Sequence, residues 1–146
     1  MAVSYTNNFN NIADKLLEVI KTEMPVPVNK TTANQPYLKA NEFIRVVPIG
    51  STIVEYAGFM EEREYEFNIK YIFQDRRENS GFLEHVMNNC SRFEALIHEN
   101  QLITLADSTR AFNLRLNDME LDSDDDQEGY FVVDYNFTCN HIGNQG

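Results

Sequence analysis

The spacing of apolar residues predicts two amphipathic helices. Residues 8–24 carry apolar side chains at three- and four-residue steps, the spacing of one helical face. Asn7 or Asn8 can cap the first turn of this helix by accepting a backbone N–H, and two prolines directly after it stop it. A second helix is expected at about residues 81–100. Its apolar stripe consists of Leu83, Val86, Met87, Cys90, Phe93 and Ile97.

Strict alternation of apolar and polar residues predicts a strand at residues 62–73. One face of this strand carries Tyr65, Phe67, Ile69, Tyr71 and Phe73, and the other carries Glu64, Glu66, Asn68 and Lys70. Such a period of two is typical of a sheet with one buried face and one solvated face. Because four of the five residues on the apolar face are aromatic, we expect helices to cover that face.

Further strands are expected on both sides of this one. Two lie at residues 43–49 and 51–59, with a turn signal at Pro48 and Gly50 between them. A short strand follows the second helix at residues 102–105. The last two strands are expected at residues 110–118 and 129–141. In the first of these, Phe112, Leu114 and Leu116 should share one face.

The order of these elements predicts one α+β domain over residues 1–146. We expect an antiparallel β-sheet with two amphipathic helices packed on one face. A long extended loop is expected at about residues 25–42, where neither period is present. An acidic hairpin loop is expected at about residues 120–129, where six of the nine residues from Glu120 to Glu128 carry carboxylates.

Composition and charge exclude several classes of function. The 146 residues include 23 Asp and Glu against 12 Lys and Arg, a formal net charge of −11. Duplex-DNA binding and binding to anionic membranes both need clustered basic residues, so neither is expected. No apolar stretch is long enough to span a membrane. Cys90 and Cys139 are far apart, and two buried free thiols are a better interpretation than a disulfide.

No arrangement of residues typical of an active site occurs in the chain. The phosphate-binding patterns GxxxxGK[ST] and GxGxxG and the nucleophile pattern GxSxG are all missing, and neither cysteine has a nearby histidine that would mark a nucleophile pair. His85, His98 and His141 lie at unrelated spacings, so surface or hydrogen-bonded histidines are expected. We therefore expect no enzymatic activity, no cofactor and no metal.

The acidic run near the C-terminus partly matches the spacing of a calcium loop. Asp122, Asp124 and Asp126 fall at the first, third and fifth positions. However, Gln127 stands where the loop needs glycine, and Val133 stands where it needs a bidentate glutamate. A solvated hairpin tip or a repulsive interface loop is favoured. The candidate interface residues of this run are Asp122, Asp124, Asp125, Asp126 and Glu128.

A second acidic cluster consists of Glu61, Glu62, Glu64 and Glu66. It is either the solvated face of a strand or a functional acidic surface. Most of the excess negative charge lies after residue 40, in the strand-rich part of the chain. A face of one sign would repel DNA phosphates, which is useful where DNA must pass through a ring without sticking.

The sequence resembles the tail terminator (tail completion) proteins of long-tailed bacteriophages. The resemblance spans nearly the whole chain, from the amphipathic first helix and the loop PVPVNKTTANQP to the strand FIRVVPI. It continues through the alternating strand YEFNIKYIF, the helix FLEHVMNNCSRFEALI and the closing EGYFVVDYNFTC. It is a resemblance of pattern, without an invariant motif.

The resemblance implies a homo-oligomeric ring, usually of six subunits, that caps the tail tube and stops its growth. The implied partners are further copies of the chain, the tail tube protein and the neck or head-completion protein, with DNA passing through the ring. The implied location is the head-proximal end of the tail in the virion, after assembly in the host cytoplasm. Candidate residues for contacts between subunits lie in the long loop: Pro25, Pro27, Asn34, Pro36 and Tyr37.

Two alternatives remain open at this point. Another phage neck or tail-tube subunit would share much of the same pattern. In a different class, the aromatic face could enclose a pocket, which would make the protein a small-ligand or protein-binding module of non-viral origin.

Overall fold

A computed structural model describes residues 6–24, 28–30, 42–58, 60–74, 82–123 and 130–144. These residues form two helices and six strands. In chain order they are α1 (Asn8–Glu23), β1 (Val28–Lys30), β2 (Glu42–Ala57), β3 (Met60–Gln74), α2 (Phe82–Glu99), β4 (Leu102–Thr104), β5 (Arg110–Ser123) and β6 (Tyr130–Asn144).

The strands form a single sheet in the order β1-β2-β3-β6-β5-β4. Strand β1 runs parallel to β2, and every other neighbouring pair is antiparallel. The buried residues of both helices join those of the sheet in one hydrophobic core. The predicted α+β class, an antiparallel sheet with two helices, is confirmed.

Helix α1 begins and ends as its sequence predicts. The Asn7 side chain accepts a hydrogen bond from the backbone N–H of Asn10 at 3.0 Å, which satisfies one of the unpaired donors of the first turn. The backbone N–H of Met24 donates to the carbonyl of Ile20 at 2.9 Å, and Pro25 follows. The face buried in the core consists of Ile12, Ala13, Leu16 and Ile20.

Helix α2 is rotated slightly from the predicted stripe. Val86, Cys90, Phe93 and Ile97 are buried as expected, and Leu96 joins them, whereas Met87 is 38% exposed. Each residue turns about 100° around a helix, so a buried face centred on Val86 and Cys90 carries Met87 out to the solvent. The side chain of Leu83 lies outside the part of the chain that the structure describes.

The alternating residues of β3 lie on the predicted faces. Tyr65, Phe67, Ile69, Tyr71 and Phe73 are all buried. Tyr65 meets Phe9 edge-on at a centroid distance of 4.9 Å, and Phe67 meets Phe137 edge-on at 6.1 Å, whereas Phe73 stacks on Phe131. Cys90 and Cys139 are buried and free, which confirms the prediction of two thiols.

The predicted turn between two strands at residues 43–59 is wrong. Residues 42–57 form one long strand, β2, and the pairing with β3 only shifts register between Pro48 and Gly50. A β-bulge inserts an extra residue without ending the strand, so Pro48 and Gly50 are accommodated inside it. A second register shift lies between Ile53 and Glu55. Strand β2 therefore extends, paired with β3, far beyond the short β1.

The expected common face of Phe112, Leu114 and Leu116 is wrong for Phe112, whereas Leu114 and Leu116 do share the helix side. Asn113 has a positive φ of 56°, and the pairing of β5 with β6 shifts register between Phe112 and Arg115. The extra residue reverses the alternation, so Ala111 and Leu114 are buried in the core. Phe112 pairs instead with Asn140, on the opposite face.

Candidate functional site: the polar outer face of the sheet

The side of the sheet opposite the helices carries a polar surface built by β3, β6 and β5. We call it the outer face. Because side chains alternate between the two sides of a strand, the even-numbered residues of β3 and β6 project onto it. Its polar members are Glu62, Glu64, Glu66, Asn68, Lys70, Arg115, Asn117, Asp118, Glu120, Asp134, Asn136, Thr138 and Asn140.

A chain of hydrogen bonds crosses three strands of the outer face. Arg115 of β5 donates from Nη2 to Oε2 of Glu64 on β3 at 2.7 Å, and from Nη1 to Oδ1 of Asn140 on β6 at 3.4 Å. The Asn140 amide then donates to Oε2 of Glu62 at 3.0 Å. Asn140 is only 8% exposed, so its two polar ends are satisfied inside the sheet surface. Two glutamates are thereby held in fixed positions.

Amide side chains continue this pattern along β6. The Asn117 amide donates to Oδ1 of Asn136 and to Oγ1 of Thr138, both at 2.9 Å. Nearer the other end of the strands, Nζ of Lys70 lies 3.6 Å from Oδ1 of Asp134. Most of the outer face is therefore a lattice of amides, hydroxyls and charges, which suits contact with water or another polar surface. At the end beyond Lys70, the apolar side chains of Phe43, Ile72 and Val132 form a small buried cluster.

The net charge of the outer face is negative. Four carboxylates, those of Glu62, Glu64, Glu66 and Asp134, lie on β3 and β6, and those of Asp118 and Glu120 lie on β5, with cations at Lys70 and Arg115. Glu62 accepts a hydrogen bond from the Asn140 amide, and Glu64 accepts one from the Arg115 guanidinium. No ion pair to Glu66 is present among the described residues, so its charge is not neutralised locally by them.

The structure divides the predicted acidic cluster of β3 between the two sides of the sheet. Glu62, Glu64 and Glu66 lie together on the outer face, whereas Glu61 lies on the helix side and pairs with Arg63. The hydrogen bond that Arg63 donates to Glu61 raises the pKa of the Arg63 guanidinium. The position of Glu61 in the sequence could have predicted this, because odd-numbered residues of β3 such as Tyr65 and Phe67 face the helix side.

Of the remaining predicted site residues, Asp122 belongs to β5 and not to a loop. Strand β5 continues to Ser123, with Asp122 paired opposite Val132. The other predicted residues lie outside the described part of the chain: Asp124, Asp125, Asp126, Glu128, Pro25, Pro27, Asn34, Pro36 and Tyr37. Within the long loop expected at residues 25–42, Val28–Lys30 forms the short strand β1.

His141 is a buried polar group that the sequence did not single out. Its ring Nε2 lies 2.8 Å from Oγ1 of Thr109, and the same hydroxyl donates to Oδ1 of Asp107 at 2.5 Å. Because the hydroxyl proton is directed at Asp107, the histidine nitrogen donates to Thr109. Burial lowers the pKa of His141, and the nearby Asp107 charge opposes part of that shift. These three side chains tie the β4–β5 turn to β6.

Nothing in the described residues indicates a reactive centre. They include no group of three His, Cys, Asp or Glu side chains that could hold a metal ion, and no helix long and apolar enough to cross a membrane. The aromatic face that could have enclosed a ligand is filled by protein instead. Phe67, Phe137 and Tyr135 are at most 1% exposed there.

Comparison with known proteins gives structural likeness only. No family model and no curated protein sequence matches the chain. A solved structure of a protein without a functional name covers 98% of this chain and 99% of its own, with a TM-score of 0.62 and 12% identity. A chain from the virion of a native gene transfer agent particle covers 93% of this chain and 91% of its own, with a TM-score of 0.50 and 14% identity.

Proposed function

We propose that this protein is a structural subunit of a phage-type virion, and that it acts there as a tail terminator. The observation that carries the proposal is the likeness in fold, over 93% of the chain, to a chain of a gene transfer agent virion. The resemblance of the sequence pattern to tail terminators narrows the role within the virion. The second candidate, a neck or tail-tube subunit, fits the same fold.

In this role the protein acts through its position in the virion and through its binding surfaces, and it carries out no chemical reaction. Copies of the chain form a ring, usually of six subunits, on the last ring of the tail tube and prevent further tube subunits from adding. The exposed side of the ring then binds the neck or head-completion protein. The outer face borders the channel, where Glu62, Glu64 and Glu66 repel the phosphates of passing DNA.

Removing the gene from the particle-producing strain tests the terminator role directly. We expect tails of uncontrolled length that carry no heads, and we expect antibody labelling of normal particles at the junction of head and tail. Electron microscopy of purified particles measures both. A complete loss of tails would favour the tube subunit, and unchanged particles without label would refute a virion role.

Reversing the charge of the outer face tests its place along the DNA path. In the variant Glu62→Lys, Glu64→Lys, Glu66→Lys, tails should assemble, but DNA ejection should slow at low salt because lysines attract the phosphates. Added salt should restore the rate, since it screens that attraction. The measurement is the ejection rate followed by a DNA-binding dye.

The matched control reverses three glutamates on the helices, in the variant Glu18→Lys, Glu84→Lys, Glu99→Lys. It changes the net charge by the same amount on the other side of the sheet and should leave ejection unchanged. Because Glu66 has no ion-pair partner among the described residues, Glu66→Lys alone is the mildest test. Equal ejection rates in all variants at low salt would remove the outer face from the channel.

A further inference from the structure

Among the described residues, strands β2 and β5 have long outward edges without a neighbouring strand. Strand β2 has 16 residues, of which β1 pairs with three at one end, Ile44 to Val46. Strand β5 has 14 residues, of which β4 pairs with three, Arg110 to Phe112. Within the described residues no strand lies beside the rest of either edge. An uncovered edge presents unpaired N–H and C=O groups that favour pairing with another strand.

Both uncovered edges expose apolar side chains on the same side of the sheet, the helix side. On β2 these are Ile53 and Tyr56, which are 40% and 54% exposed and pair opposite Arg63 and Glu61. On β5 they are Met119 and Leu121, 45% and 48% exposed. Both β5 residues pair opposite buried core residues of β6. Neither helix covers these ends of the strands.

A groove beside β5 extends this apolar surface. It has a volume of about 380 Å³ and lies between the last turns of α2 and the strand. Its walls combine apolar side chains, among them Ile97, Leu116 and Met119, with polar ones such as Glu94 and Gln101. A strand placed along the edge of β5 would therefore meet a mixture of apolar and polar side chains on the helix side and water on the outer side.

We propose that the β2 edge of one copy pairs with the β5 edge of the next, so that neighbouring sheets become continuous. This interface rests on the ring in the proposed function and specifies how the ring is joined. The strand order determines the direction of pairing. From β2 through β3 and β6 to β5 the chain direction reverses at every step, so β2 and β5 are antiparallel. The uncovered stretches lie at opposite ends of the strands, because Ile53 is level with Ala111 whereas Met119 is level with Val46. The two edges therefore meet as an antiparallel pair when the strands are inclined to the ring axis, so that each copy is staggered along the strands relative to the next.

The partner is a second copy because the two edges complement one another. Each supplies unpaired backbone groups, and each carries its exposed apolar residues on the helix side, so one continuous sheet brings Ile53 and Tyr56 next to Met119 and Leu121. Different surfaces meet in this contact, which makes it heterologous. A heterologous contact leaves one edge of each copy unused in every dimer, and rings form when the rotation closes. Strand pairing between the β2 edge of one copy and the β5 edge of the next is therefore sufficient to build the assembly.

Two lysine substitutions test the interface separately. Ile53→Lys places a charge on the β2 edge, and Met119→Lys places one on the β5 edge. Both positions are already partly exposed, so each monomer should fold. Sedimentation velocity over a range of concentrations should show assembly of the wild type. Each variant should associate at least about 30-fold more weakly, the effect of losing a central interface contact. Leu102→Lys, at another apolar position that is 55% exposed, is the matched control and should assemble normally.

Mixing the two variants is the decisive measurement. Ile53→Lys retains an intact β5 edge and Met119→Lys retains an intact β2 edge, so an equimolar mixture should give one-to-one dimers and no larger species. A two-fold contact between identical edges predicts a different result, in which one variant assembles like the wild type. That result, normal assembly of both variants, or a wild type that stays monomeric throughout would overturn the edge pairing. The virion role is measured independently on particles by microscopy and would survive any of these outcomes.

Discussion

The two sides of the sheet are built by the same strands but differ in burial and in their contribution to stability. On the helix side, Phe67 and Phe137 are fully buried and pack ring against ring. On the outer face, their sequence neighbours Glu66 and Thr138 are polar and lie opposite each other. Burial of aromatic area dominates the stability of such a domain, whereas exposed polar contacts contribute little. The helix side therefore maintains the fold, and the outer face can be changed for function.

Truncating one residue on each side should sharpen this contrast. Phe67→Ala removes a fully buried ring and should lower the free energy of unfolding by about 3–5 kcal/mol. Glu66→Ala, one residue away on the outer face, should change it by less than about 0.5 kcal/mol. Urea unfolding followed by circular dichroism measures both. Comparable losses from the two variants would contradict the assignment of the faces.

The buried His141 should make stability depend on pH in a range where the outer face contributes little. Its pKa is lowered in the folded protein, chiefly by burial, so the unfolded chain binds the proton more readily. The stabilisation is present above the unfolded-state pKa of about 6.5 and is lost as the pH falls through the lower folded pKa. Melting temperatures of the wild type should therefore decrease as the pH falls below about 6.5.

The variant His141→Gln should show a shallower decrease over the same pH range. His98→Gln is the control, because His98 is exposed on α2 and its replacement should leave the pH dependence unchanged. If His141→Gln kept the full pH dependence of the wild type, the buried ring would not be its source.

The smallest effect is expected from the ion pair on the outer face. The Arg115 and Glu64 side chains are 35% and 37% exposed, so water and salt weaken their attraction. A double-mutant cycle with Arg115→Gln and Glu64→Gln should give a coupling energy below about 1 kcal/mol that falls further at high salt. A salt-independent coupling of several kcal/mol would mean that the outer face contributes to stability like the core.

Local patterns predicted the helices and the central strand well, because one period of apolar residues decides each of them. Those local patterns could not predict the β-bulges. Pro48 and Gly50 have the composition of a turn, and only the pairing with β3 shows that β2 continues through them. The extra residue at Asn113 likewise depends on the register with β6, so the reversal at Phe112 could not be read from β5 alone.

The sequence predicted only part of the arrangement on the outer face. Alternation placed Glu64 and Glu66 on the solvated face of β3. Their surroundings come from strands distant in sequence, since Arg115 and Asn140 reach the glutamates only after β6 and β5 have joined the sheet. Which side of the sheet a residue faces is local information, and which side chain it meets there is not.

The position of β6 also constrains how the protein is made on the ribosome. It is the last strand in the described part of the chain, yet it lies between β3 and β5 and pairs with both along most of its length. The β2–β3 hairpin can form early, but the edge of β3 that carries Phe67 has to wait for β6 to be synthesised. Unpaired edges of this kind are prone to aggregation in nascent chains.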